Sequence, residues 1–166
     1  MTASAHPTSW PSAPTEPRTI HSFLVKRLRP EARLPTRASA GAAGLDLRAC
    51  LPQGPVLIEP LAIVVVPTGL AVAIPPGFEG QIRPRSGLAS KHGLTLPNAP
   101  GTIDADYRGE VRIPLINLSR APFTVEHDMR IAQLVLAPVA PLAPVEVDSL
   151  DSTPRGEGGF GSTGLH

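Results

Sequence analysis

The sequence predicts an all-β domain of the sandwich or jelly-roll type, and three observations carry that expectation. The 166 residues include 21 prolines and 15 glycines, too many punctuating residues for long helices. Short runs rich in Val, Ile and Leu recur along the chain with turn residues between them, the pattern of stacked antiparallel sheets. Aromatic residues make up only 4% of the chain, so its core must be aliphatic.

The strand-like runs, in order, are Ser22 to Lys26, Val56 to Ile58, Ile63 to Val66, Leu70 to Ile74, Gly80 to Arg83, Leu94 to Leu96, Val111 to Asn117, Phe123 to Val125, Ile131 to Ala137 and Val145 to Val147. Turns are expected at Pro52-Gln53-Gly54, Pro67-Thr68-Gly69 and Pro75-Pro76-Gly77, where proline presets one backbone angle and glycine supplies the left-handed one. One short helix is expected, Ser86 to His92, with Ser86 as its N-cap and Gly93 as the left-handed residue that ends it. The length suits one β domain, placed at residues 20–150. Ahead of it, residues 1–19 read as a disordered leader: Pro7, Pro11, Pro14 and Pro17 stand among Ser and Thr, and Trp10 has no evident packing partner. The leader lacks the apolar core of a signal peptide and the arginine density of a transit peptide. Residues 151–166 read as a glycine-rich tail that is either a lid or a plain terminus.

Charge and cysteine content narrow the function classes. Fifteen basic residues against 14 acidic give a net charge of +1, no footprint for long nucleic acid or a membrane surface. No apolar stretch approaches the roughly 20 residues needed to span a bilayer. Cys50 is the only cysteine, so no intrachain disulfide can form, and a reducing, cytoplasmic setting is expected. Cys50 itself reads as a small buried hydrophobe. The five histidines are scattered without paired spacing, which argues against a zinc site.

Five polar clusters carry the chemistry. Between Ala43 and Leu47, Asp46 sits between two leucines, a costly position for a carboxylate unless it is paired or near a metal. Pro84 to Ala89 places Arg85, Ser86 and Gly87 at a helix start, where free N–H groups attract anions. Gly101 to Glu110 crowds Asp104, Asp106, Tyr107 and Arg108 onto an expected hairpin, with Asp106 to Gly109 as its turn and Asp104 at the end of the incoming strand. A carboxylate in that position can orient and deprotonate a water. Gln133 interrupts the apolar run Ile131 to Leu136, so its amide requires a partner from elsewhere. Arg155 to Gly164 combines an arginine, five glycines, Phe160, Ser162 and Thr163, a backbone able to wrap phosphates beside one aromatic able to stack on a base. It contains no Gly-Lys-Ser or Gly-Lys-Thr and is not a Walker A loop.

Together, in this order, these clusters resemble the five motifs of the trimeric dUTP pyrophosphatases (dUTPases), over about Ser22 to Gly164. The resemblance implies a distorted jelly-roll or β-barrel subunit of the β-clip kind, a homotrimer with active sites shared between subunits, Mg²⁺ as cofactor, and hydrolysis of dUTP to dUMP and pyrophosphate. It implies Asp104 as the base for the attacking water and Tyr107 as the ring against the deoxyribose. It further implies a uracil-reading hairpin formed by Asn98, Thr102, Ile103 and Arg112. Arg85, Ser86, Gly87 and Gln133 become phosphate contacts, and Asp46 an acid near the metal through water, the metal being held otherwise by the substrate phosphates. Arg155, Phe160, Gly161, Ser162 and Thr163 become the closing tail. The chain departs from the family where Asp128 and Met129 precede Arg130 in place of glycine and an acid; Asp tolerates the left-handed conformation such a turn requires. The rivals are a dCTP deaminase of the same fold and a jelly-roll binding or scaffold protein without catalysis. The intact Arg85-Ser86-Gly87-Leu88 opposes the first, and the presence of Asp104 opposes the second.

Overall fold

The computed structural model describes residues 22–159, and it is built of antiparallel strands with one short helix. In chain order the elements are β1 (Leu24–Arg27), β2 (Thr36–Arg37), β3 (Leu45–Arg48), β4 (Val56–Ile58), β5 (Ile63–Ala73), β6 (Phe78–Pro84), α1 (Ser86–His92), β7 (Leu94–Thr95), β8 (Gly101–Ile103), β9 (Glu110–Asn117), β10 (Phe123–Val125) and β11 (Arg130–Pro138). They form a four-stranded sheet β1-β5-β9-β7, a five-stranded sheet β2-β3-β11-β6-β8 and a β4–β10 pair. Sequence neighbours are often split between sheets, as in a jelly roll, so the two large sheets share one core.

That core is aliphatic, as the scarcity of aromatics requires. In β9, Val111, Ile113, Leu115 and Asn117 point inward and alternate with less buried residues, the period-2 pattern of a strand with one face packed. Ile58, Val66, Leu70, Ile113, Val125, Ala132 and Leu134 are fully enclosed. Cys50 is among them at 2% exposure, the small hydrophobe expected. Buried Asn117 has its hydrogen bonds made: its Nδ2 donates to the carbonyls of Ile58 (2.9 Å) and Ala121 (2.8 Å), and its Oδ1 accepts from the Ser119 amide (2.9 Å). It thereby ties the end of β9 to β4.

Four elements differ from expectation. Pro67-Thr68-Gly69 does not turn the chain: β5 runs continuously from Ile63 to Ala73, and the register against β9 shifts between Pro67 and Ala71. The three residues form a bulge: the step from Pro67 to Ala71 on β5 opposes only that from Arg112 to Glu110 on β9, so two extra residues are accommodated without leaving the sheet. The bulge is closed from within, because the Thr68 hydroxyl donates to the Val111 carbonyl at 2.6 Å and accepts from the Leu70 amide at 3.3 Å. Gly69 has φ +68°, and a Cβ there would stand 2.8 Å from Ala32 Cβ and 3.0 Å from Cys50 Sγ, so only glycine fits. Second, β8 does not pair with β9 as a hairpin; it pairs with β6, and β9 pairs with β5, so the 104–109 loop crosses from one sheet to the other. Third, the helix N-cap is Arg85, in extended conformation, and Ser86 is the first helical residue. Gly93 ends the helix at φ 64°, as expected. Fourth, 145–147 forms no strand and is exposed.

Asp128 takes the left-handed conformation (φ 64°) anticipated from the departure before Arg130. Arg48 donates to its carbonyl at 2.8 Å and pairs with its carboxylate at 3.3 Å, which fastens the β10–β11 turn to β3.

Candidate functional site

A cleft of about 200 Å³ lies between β8 and the start of β9. β8 is the last strand of its sheet, so one of its edges carries unpaired main-chain N–H and C=O groups. On the other side β7 pairs only with Asn117 and Ile116, which leaves the stretch of β9 near Val111 to Pro114 with an open edge as well. Two open edges face one gap, and a flat ligand with its own donors and acceptors can complete both. Ile82, Leu96 and Val111 give the cleft apolar walls, while Asn98, Thr102, Asp104, Tyr107 and Arg112 supply its polar groups. Gly101 keeps Asn98 close: an added Cβ would lie 3.2 Å from Asn98 Nδ2.

The 104–109 loop sets the rim. Tyr107 N–H donates to the Asp104 carbonyl at 3.1 Å, closing a tight turn that leaves the Asp104 side chain exposed where β8 ends. Among the described residues, the Asp104 carboxylate has no hydrogen-bond or ion-pair partner. Tyr107 folds back over Gly109, where a Cβ would collide with the phenol, and its hydroxyl donates to the Glu110 carbonyl at 3.0 Å.

A second cluster gathers around Asp46, which is 4% exposed on β3. Its carboxylate pairs with Arg130 Nη1 at 3.0 Å and Arg85 Nε at 3.4 Å, and Gln133 Nε2 reaches it at 3.5 Å. Arg85 also donates to the Arg130 carbonyl at 3.1 Å. The partner that Gln133 was expected to need is thus Asp46, and Gly44 lies against the same amide. Two guanidiniums pair with this carboxylate, and no group of three or more His, Cys, Asp or Glu side chains with metal-holding geometry occurs among the described residues. Asp46 is therefore placed to anchor Arg85. Because Arg85 is the N-cap and makes no side-chain cap bond, the Ser86 hydroxyl is not consumed by capping; around Gly87 nothing lies within 4 Å of an added Cβ.

The single chain thus brings Asn98, Thr102, Ile103, Asp104, Tyr107 and Arg112 together in the cleft, and Asp46, Arg85 and Gln133 together elsewhere; no member of the second group lines the cleft. Arg155 stands apart, its Nε donating to the Gly158 carbonyl at 2.8 Å. Phe160, Gly161, Ser162 and Thr163 lie outside the described residues, as does the expected leader. Sequence reasoning missed Arg130 and Glu110 as site neighbours. An arginine two residues beyond a left-handed turn signals little by itself, and Glu110 reads as an ordinary strand start.

Fold and cleft together define a jelly-roll protein that offers main-chain strand edges to a small ligand. A family model described as dUTPase matches residues 30–164. The deoxyuridine 5'-triphosphate nucleotidohydrolase of Syntrophotalea carbinolica is 57% identical over 144 residues, covering 87% of this chain and 97% of that protein. The nucleotidohydrolase of the same name from Sinorhizobium medicae is 59% identical over 133 residues, covering 80% and 83%. Among solved structures, the dUTPase of Staphylococcus bacteriophage 80alpha with dUPNHPP superposes with a TM-score of 0.79 at 30% identity, covering 88% of this chain and all (100%) of that one. A mutant dUTPase from phage phi11 of S. aureus, described with a structural Mg(II) ion, gives 0.72 at 26%, covering 80% and 100%. The chain belongs to the dUTPase family.

Proposed function

We propose that the chain hydrolyses dUTP to dUMP and pyrophosphate, keeping uracil out of DNA and supplying dUMP for thymidylate synthesis. The observation that carries this reading is the cleft between two open strand edges with the unpartnered Asp104 carboxylate at its rim. Uracil's N–H and carbonyl groups match the main-chain edges near Thr102, Ile103 and Arg112, as a missing strand would. On this reading the pocket rejects the methyl group that distinguishes thymine from uracil. In this reading the Tyr107 ring, set over Gly109, packs against the sugar and excludes a 2′-hydroxyl.

The chemistry asked of the protein is positioning and charge neutralisation, because in-line attack on phosphorus needs little covalent participation. Asp104 orients the water and takes its proton as general base. Arg85, held by Asp46, meets the phosphate chain with Ser86, Gly87 and Gln133, and Arg155 joins from the tail. Mg²⁺ neutralises phosphate charge when bound. The residues fit an ion carried by the substrate: no acidic cage occurs among the described residues, so substrate phosphate oxygens and waters would supply its ligands, the common habit of this cation.

The active unit in this reading is a homotrimer. The cleft of about 200 Å³ is smaller than the roughly 300 Å³ at which complete ligand pockets begin, and the phosphate-facing cluster of the same chain lies outside it. A site joining the two groups from different subunits explains both facts. Leu142, Val145 and Leu150 are each more than 80% exposed along the strandless 139–150 segment, which supports docking on a neighbour. Residues 151–166 act as the closing lid over phosphates and base, and 1–19 as a leader outside the catalytic domain. No helix among the described residues is long and apolar enough to cross a membrane. The single cysteine fits a reducing, cytoplasmic setting.

A nucleotide panel tests the reading. Hydrolysis is expected for dUTP, with kcat/KM for dTTP and UTP lower by at least about 10², the scale at which a misfitting group disturbs a positioned reaction. Comparable values for dUTP and dTTP would refute the pocket, and ammonia release from dCTP would indicate a deaminase.

A further inference from the structure

The Tyr107 hydroxyl is tethered by a hydrogen bond, and the residue that accepts it is itself tied by its side chain to the β5 bulge. The Tyr107 hydroxyl donates to the main-chain carbonyl of Glu110 at 3.0 Å. Glu110 lines the cleft, and its side chain is 18% exposed. Its Oε1 accepts from the Gly69 amide at 2.8 Å and pairs with Arg29 Nη1 at 3.4 Å. Gly69 is the left-handed centre of the β5 bulge, which Thr68 closes onto Val111 and whose carbonyl takes the Leu28 amide at 2.8 Å. The Glu110 side chain therefore ties the first residue of β9 to the β5 bulge, beside the ladder pairing of Glu110 with Ala71.

We propose that Glu110 is a positioning residue for sugar selection: its carboxylate, by gripping the Gly69 amide, fixes the carbonyl that holds the Tyr107 ring against the sugar. This deepens the proposed dUTPase reading and rests on it. The division of labour within the carboxylate follows from burial. Among the described residues the Gly69 amide has no other acceptor, and Gly69 is buried, so losing the bond leaves an unsatisfied donor. Arg29 is 42% exposed, and an ion pair at such a position contributes little. Glutamine keeps an oxygen for the Gly69 amide and should therefore preserve the ring's place, whereas alanine should not.

The readout is the ratio of kcat/KM for dUTP to that for UTP, measured on the full-length protein with Glu110→Ala, Glu110→Gln, Tyr107→Phe and the Glu110→Ala/Tyr107→Phe pair. Glu110→Ala is expected to lower the ratio by about tenfold or more, chiefly through better use of UTP, since ring displacements of order 1 Å change rates by up to about 10². Glu110→Gln should stay within about threefold of wild type. Tyr107→Phe removes the same tether from the other end, so the double variant should lose no more than the larger single loss, the mark of two groups acting through one interaction. A ratio unchanged in Glu110→Ala and Tyr107→Phe, or equally lowered in Glu110→Gln and Glu110→Ala, would overturn the proposal. So would additive losses. If Glu110→Ala fails to fold, Tyr107→Phe with Glu110→Gln decides alone: a tenfold loss in the first with none in the second supports the tether, and no loss in the first refutes it. Wild-type protein that does not hydrolyse dUTP would instead sink the reading beneath it.

Discussion

Asp104→Asn is expected to lower turnover of dUTP by at least about 10², the usual cost of losing a general base, while KM and the urea midpoint stay near wild type. The amide keeps the size of the side chain and loses the basic lone pair. Folding should not suffer, because Asp104 is exposed and makes no bond within the described residues that asparagine would break. The neighbouring geometry also survives, since the turn is held by the Asp104 carbonyl through the Tyr107 amide. Single-turnover kinetics separate the chemical step from binding. Turnover within a few-fold of wild type would remove Asp104 from its role.

The residues of this site were legible because their types are unusual in a proline-rich β chain, but their arrangement was legible only in part. Strand β4 and helix α1 fall where the sequence places them, one bounded by turn residues and the other by Gly93. The helix cap slipped by one residue because Ser86 is a good cap by type, while the extended backbone fell at Arg85, which Asp46 holds from the side. Pro67-Thr68-Gly69 has turn chemistry by every local rule. It stays within a strand because Thr68 and Glu110 satisfy the bulge from side chains far along the chain, a tertiary fact no local window contains. The same limit hid the sheet switch between β8 and β9. A short apolar run, a polar loop and a second run look identical whether the strands pair with one another or with others. Thr36–Arg37, two residues long, gives no periodicity to detect.

Truncation before Ser152 is expected to reduce dUTP hydrolysis by at least about 10², the scale of losing phosphate positioning and water exclusion at a closing segment. The oligomer and its thermal transition should be nearly unchanged. Residues 151–157 are all exposed and contribute no core, so their removal takes nothing from the packing described above. What is lost is Arg155, with the glycine-flanked Phe160 and the hydroxyls of Ser162 and Thr163. Activity of the truncated protein on dUTP, read together with its sedimentation behaviour, checks both halves. Full activity would make the tail a terminus only, and dissociation of the oligomer would move its role from catalysis to assembly.

Water attack at the α-phosphorus is the step on which the roles of Asp104, Arg85 and the tail all depend. Hydrolysis of dUTP in water labelled with heavy oxygen, followed by mass analysis of the products, reports that step directly. The account predicts one labelled oxygen in dUMP and none in pyrophosphate. Label in pyrophosphate would contradict it, because the water would then have attacked the β-phosphorus and Asp104 would be serving a different bond.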